Sequence, residues 1–150
     1  MKKNKLSCQD YLFVALQFLI FATYISSFEI LSISIPEWLR YSGLVVMWLA
    51  LILGITALLQ LNTKISPFPT PVSNGKLIRT GAFSVSRHPI YTALVFSAMG
   101  YAIYYESLVK LLITLVLLIL FYFKSKYEEK LLSQTFDEYV DYKKKTRRFI

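Results

Sequence analysis

Two short stretches carry the groups that could do chemistry: RHPIY at residues 87–91 and YEEK at residues 127–130. Pro89 suits the first position of a helix, where a missing N–H costs nothing. The helix would then open beside Arg87 and His88, and a helix N-terminus with a neighbouring Arg can hold an anion. Tyr91 adds a hydroxyl and a flat ring at the same mouth. Glu128 and Glu129 are acidic residues in basic surroundings, able to accept hydrogen bonds from a hydroxylated or cationic ligand. Each stretch also has a plainer reading. Arg and Tyr commonly anchor helices at a membrane interface. The glutamates could form a solvated face, with Lys124, four residues before Glu128, as an ordinary surface pair.

The elements that must position these residues are apolar. Of the 150 residues, 55% are hydrophobic, in blocks rather than at amphipathic spacing. Residues 11–27 and 41–61 carry no charge, and residues 90–105 and 108–123 form two further blocks broken at Glu106 and Ser107. A membrane span needs roughly 17–25 apolar residues. The first two blocks qualify, and the last two are short enough to form a tight hairpin that barely reaches the far face. The expected fold is therefore an all-α integral membrane protein of about four helices, in a single domain over residues 1–150.

All of the 17 Lys and Arg residues except Arg40 and Lys110 lie in the N-terminal tip, in residues 62–89 or from residue 124 onward. Positive charge stays on the cytoplasmic side, so both termini and the central loop are expected there. An even number of spans agrees. The basic tip before an apolar run resembles a signal peptide, but Asp10 interrupts the pattern and no small-x-small cleavage site follows. The lone Cys8 provides neither an intrachain disulfide nor a thiolate metal site, and no metal is expected.

The central loop contains PFPTP at 67–71, which forbids helix and favours an extended path. Asn74-Gly75 signals a turn. At nearly thirty residues the loop is longer than most connectors, and Phe68, Leu77, Ile78 and Phe83 argue for a structured route. Beyond the fourth span, residues 124–145 read as a continuing helix with Leu131, Leu132, Phe136, Tyr139 and Val140 on one face. The basic end, residues 143–148, suits anionic lipid headgroups. Since the last two spans form a hairpin, RHPIY and YEEK should lie at one face on adjacent helices, which favours a shared site over separate anchors.

From Pro67 onward, the order PFPTP, GKLIRTGAFSVSRHPIYTA, apolar hairpin and YEEKLL, followed by YKKKTRRFI, resembles the isoprenylcysteine carboxyl methyltransferase family, membrane enzymes related to phospholipid methyltransferases. The family-like core covers residues 67–150. The resemblance implies S-adenosylmethionine as methyl donor, held without a Rossmann domain, and the five glycines indeed contain no G-x-G. It assigns Arg87, His88, Pro89, Tyr91, Glu128 and Glu129 to the donor site. The family's C-terminal Tyr and Arg fall on Tyr142 and Arg148. The sequence departs from the pattern at Ala82 and Phe83, where Pro and Tyr are usual, at Ala93, where Gly is usual, and at Asp137.

On that resemblance, Arg87 with the helix N-terminus would hold the donor's carboxylate, one of the glutamates its ribose diol or amine, and His88 and Tyr91 its adenosyl group. Arg147 or Arg148 would orient an anionic acceptor. The acceptor is expected to be a lipophilic or lipidated small molecule reached from the bilayer, and no nucleic acid partner is expected. An isoprenylcysteine carboxylate and a phospholipid amine both remain open as acceptors. A nicotinamide-dependent reductase with a related C-terminal core, and a small exporter, are the competing readings. The first two spans lack the embedded acid a proton-coupled exporter usually carries.

Overall fold

A computed structural model describes residues 6–26, 31–61, 66–71 and 77–150. The basic tip at Lys2, Lys3 and Lys5 and the Asn74-Gly75 turn lie outside the described residues. Six helices follow in chain order: α1 (Cys8–Ser26), α2 (Glu37–Leu61), α3 (Ala82–Val85), α4 (Pro89–Tyr104), α5 (Leu108–Thr135) and α6 (Tyr139–Lys145). The protein is all-helical and belongs in a membrane. Its helices α1, α2 and α5 are long and apolar enough to cross one, while α4 is apolar but shorter. At 1.5 Å per residue α4 spans only about 24 Å, so it is the short arm of the hairpin.

Large apolar side chains such as Leu12, Phe18, Val45, Trp48, Leu49, Ile52 and Leu59 stand exposed on α1 and α2. In water such a surface would be a liability; against lipid it is the outer wall. Between helices, small residues replace large ones. Gly43, Ala50 and Ala57 recur every seventh residue on the buried side of α2, and on the same helix Gly43 meets Gly100 and Gly54 meets Ala93 of α4. A Cβ on Gly43 would lie 2.7 Å from the Gly100 carbonyl. With lipid as apolar as any side chain, close backbone approach of this kind supplies the packing energy.

The hairpin turn is tight, as expected. Tyr105, Glu106 and Ser107 connect α4 to α5, with Glu106 in the left-handed region at φ 54°. Its carbonyl accepts from Ile33 N–H at 2.8 Å, and Leu108 N–H donates to the Leu31 carbonyl at 3.1 Å. The segment before α2 thus satisfies the polar backbone of the turn. Ser107 caps α5, accepting from the Lys110 amide. Arg40 and Lys110, the two exceptions to the charge pattern, reach the carbonyls of Tyr104 and Tyr24 at this end.

Helix α5 continues past the fourth apolar block, as the tail pattern suggests, but stops short of residue 145. Its apolar part ends at Phe123, but the helix runs unbroken to Thr135, about 42 Å in all against a hydrocarbon core of about 30 Å. Its polar last three turns therefore stand beyond the bilayer. The chain then breaks at residues 136–138 before α6, so the expected single tail helix is two. Of its apolar stripe, Tyr139 is buried and Val140 is exposed.

Candidate active site at the basic end of the bundle

Backbone geometry places the first motif. Gly81 has φ 60°, and the Gln60 amide occupies the space where a Cβ would stand. Gln60 Oε1 accepts from Ala82 N–H at 3.0 Å, fastening the loop to the end of α2. One turn of helix, α3, leads to buried, extended Ser86. His88 is the N-cap of α4 and Pro89 its first residue, as the sequence suggests. Residues 147 and 148 run back alongside: Arg87 N–H donates to the Arg147 carbonyl at 2.9 Å and His88 N–H to the Arg148 carbonyl at 3.2 Å. The Tyr142 hydroxyl donates to the Phe83 carbonyl.

RHPIY and the two glutamates meet, and the glutamates divide. Glu128, with a side chain 25% exposed, accepts from the Tyr91 hydroxyl at 2.8 Å and lies 3.6 Å from His88 Nδ1. Glu129 is 2% exposed and is the hub of a cation cluster. Arg148 forks onto it with two hydrogen bonds of 2.9 Å. Arg87 Nη2 lies 2.9 Å away and Lys143 Nζ 3.5 Å. His88 Nε2 approaches to 3.4 Å, without the geometry of a hydrogen bond. Burial alone would push the Glu129 carboxyl up. The close imidazole, the Arg148 hydrogen bonds and the Arg87 charge overcome that and hold it well below the usual carboxylate range. Arg87 also donates to the Lys143 carbonyl at 2.8 Å, so its guanidinium is engaged within the protein. Arg147 is exposed.

The rings form a column. His88 stacks on Tyr91 at 5.3 Å and 3°, and Tyr91 on Phe121 at 4.6 Å and 10°. Beside this column opens a cavity of about 360 Å³, lined by His88, Tyr91 and Glu128 together with Phe68, Phe83 and Tyr139. Small-molecule pockets run from about 300 to 1,000 Å³ and are mostly apolar with a few convergent polar groups, which describes this one. Tyr142, a buried residue of the same lining, has its hydroxyl pushed up to about 12 by burial, so it stays a neutral donor.

The sequence reading missed the roof and one wall. The segment 66–71 covers the cavity, with Pro69 buried, Phe68 edge-on to Tyr11 at 5.4 Å and Thr70 donating to Asp10 at 2.7 Å. Lys124 is not a surface partner of Glu128. It is 1% exposed and donates to Gln17 Oε1 at 2.6 Å and to the Pro67 carbonyl at 2.8 Å. The burial follows from α1 packing on α5, a tertiary fact that i,i+4 spacing does not contain.

An α-helical membrane protein with a ligand-sized cavity between polar helix ends at the bilayer edge is the class defined so far. A model of the phospholipid methyltransferase family matches residues 38–139, more than half of the chain. The chain belongs to that family and is a membrane methyltransferase. The match covers α2 to the start of α6, including both charged motifs. Among curated proteins, none matches the chain significantly.

Proposed function

We propose that the protein transfers a methyl group from S-adenosylmethionine to a lipophilic acceptor where the membrane meets the cytosol. The single observation that carries this reading is the convergence of His88, Tyr91 and Glu128 on one cavity. The wall fits the donor chemically: an available carboxylate complements a sulfonium cation, and the aromatic lining of Phe68 and Phe83 beside the ring column suits an adenine and excludes water.

In this reading Glu128 accepts hydrogen bonds from the donor's ribose diol or amine, and His88 and Tyr91 flank its base. When bound, the donor supplies a methyl carbon made electrophilic by positive sulfur. Arg87 and Pro89 also line the cavity, while Glu129 acts at one remove, because the Arg87–Glu129–Arg148 cluster fixes the start of α4 against α5. Arg148 is committed to Glu129, so exposed Arg147 is the group to orient an anionic acceptor. In-line attack makes positioning and dryness the main contributions of the protein. A carboxylate acceptor is ionised near neutral pH and needs no base; an amine would have to shed a proton, and His88 is the one imidazole in the chain.

Isoprenylcysteine-like carboxyl O-methylation and phospholipid N-methylation are the two acceptor chemistries. The basic end of the bundle, with α6 and its lysines, faces the cytosol in this proposal, against anionic headgroups. The test is incubation of purified protein and a membrane extract with methyl-labelled S-adenosylmethionine, followed by mass spectrometry. A labelled lipid ester or amine is expected. No labelled lipid from active preparations would overturn the reading.

A further inference from the structure

We propose that Lys124 is an anion-binding subsite of this cavity, completed by a carboxylate or phosphate oxygen of the bound ligand. The choice of nucleoside probes below rests on the methyltransferase reading; the subsite itself rests on geometry.

Lys124 lines the cavity and is 1% exposed. Among the described residues no carboxylate lies within 4.0 Å of its Nζ; the ion pairs at this end belong to Arg79, Arg87, His88, Lys143, Lys144 and Arg148. Its two acceptors, Gln17 Oε1 and the Pro67 carbonyl, are both neutral. An ammonium has three N–H donors, so one remains beyond these two. The Tyr91 and Phe121 rings lie 5.3 and 6.0 Å from Nζ and supply only the weak attraction of their faces. Glu128 and Asp10 favour the ammonium from a distance but neither pairs with it; a buried charge without a paired carboxylate is costly, and the space beside this one is open to a ligand.

The neighbouring cations are in the opposite condition. Arg87 and Arg148 share Glu129 at 2.9 Å, so an anionic ligand would have to compete with a buried carboxylate for their terminal nitrogens; Arg87, which also lines the cavity, keeps only a buried Nε without a partner among the described residues. Glu128 follows Lys124 by about 6 Å along the helix. Along α5 the cavity wall therefore presents one carboxylate and one ammonium in series, matched to a ligand carrying both signs or to two ligands meeting there. Gln17 lies on α1, outside the family-matched residues 38–139, so this subsite draws on a part of the chain that the family match does not cover.

The anion has two possible sources, the amino-acid carboxylate of the donor or the headgroup of the acceptor. The experiment is calorimetry on the full chain in neutral-lipid nanodiscs, comparing the native protein with Lys124→Met. The probes are S-adenosylhomocysteine, 5′-methylthioadenosine (the same nucleoside thioether without the amino-acid part), dodecyl phosphate and dodecanol. Loss of about tenfold or more for S-adenosylhomocysteine with less than about twofold for 5′-methylthioadenosine assigns the donor carboxylate. The same loss confined to dodecyl phosphate, with dodecanol unchanged, assigns the acceptor headgroup. Unchanged affinity for both anionic probes, or equal loss for charged and uncharged probes, overturns the proposal. Should Lys124→Met not fold, Lys124→Gln makes the same comparison with a polar side chain in place. If the native protein binds neither nucleoside, the methyltransferase reading fails and the two dodecyl probes alone decide the subsite.

Discussion

Tyr91 donates its phenolic hydrogen to Glu128 across 2.8 Å, so the opening turn of α4 is tied to α5 by a hydrogen bond at the cavity wall. Glu129, one residue on, is buried in a guanidinium cluster. Adjacent carboxylates on a helix point about 100° apart, and here that angle separates a group on the cavity wall from one in a buried ion cluster.

Glu128→Gln keeps the shape and removes the charge. It is expected to weaken S-adenosylhomocysteine binding by about tenfold or more while leaving the thermal midpoint close to native. Calorimetry beside a melting curve checks both. Native affinity in the variant would remove Glu128 from the donor site.

Glu129→Ala is expected to act through the fold. It strands Arg87 and Arg148 without their shared carboxylate, a change of the kind that costs about 3–5 kcal/mol. The readout is a large fall in the thermal midpoint in detergent, with faster proteolysis of the tail. A stable Glu129→Ala protein that has lost only ligand binding would reverse the division of labour.

Acid should reach the same cluster. Because the folded pKa of Glu129 is depressed below its unfolded value of 4.5, its contribution is present above that pH and lost as pH falls through and below it. The midpoint is therefore expected to hold from pH 7 to about 5 and then to drop. Glu129→Gln, already destabilised, should flatten that drop. An equal acid slope in both proteins would place the responsible group elsewhere.

The α2–α4 seam tolerates no added atoms. In Gly100→Ala the new Cβ would stand 2.8 Å from the Met47 amide nitrogen, and backbone cannot yield as a side chain can. A loss of about 1–3 kcal/mol is expected. Gly54→Ala, whose Cβ would meet the Ala93 methyl at 3.0 Å, should cost less. Parallel thermal melts rank the two.

Orientation is testable through Cys8, which is exposed at the start of α1. A membrane-impermeant maleimide should reach Cys8 only from the cytosolic side. In a Cys8→Ser background it should reach Lys144→Cys from that same side and Tyr105→Cys from the other. Labelling of Tyr105→Cys from the cytosol would invert the proposed topology.

Much of this was legible because it depends on local chemistry. Pro89 at a helix start, the hairpin between residues 105 and 107, and the meeting of RHPIY with the glutamates all follow from short-range rules plus one turn. What stayed hidden depends on distant partners. Nothing near Lys124 in sequence says that Gln17, more than a hundred residues away, would bury it. Nothing in EE says which carboxylate turns inward, since that is settled by Arg148 returning along α4. The helix continuing past Lys124 is legible from its apolar spacing, but its end at Thr135 is not, because Phe136 leaves the helix in an extended conformation with no glycine or proline to mark the break.

That uninterrupted helix has a mechanical meaning. Leu108 at the hairpin turn and Glu128 at the cavity belong to one continuous helix, with no break between them. A bilayer thinner or thicker than the protein's preference would lean that helix, and the lean would reach the ligand wall. Catalytic rate should then respond to acyl-chain length, with lipid composition acting as a tuning dial on a reaction that takes place outside the hydrocarbon.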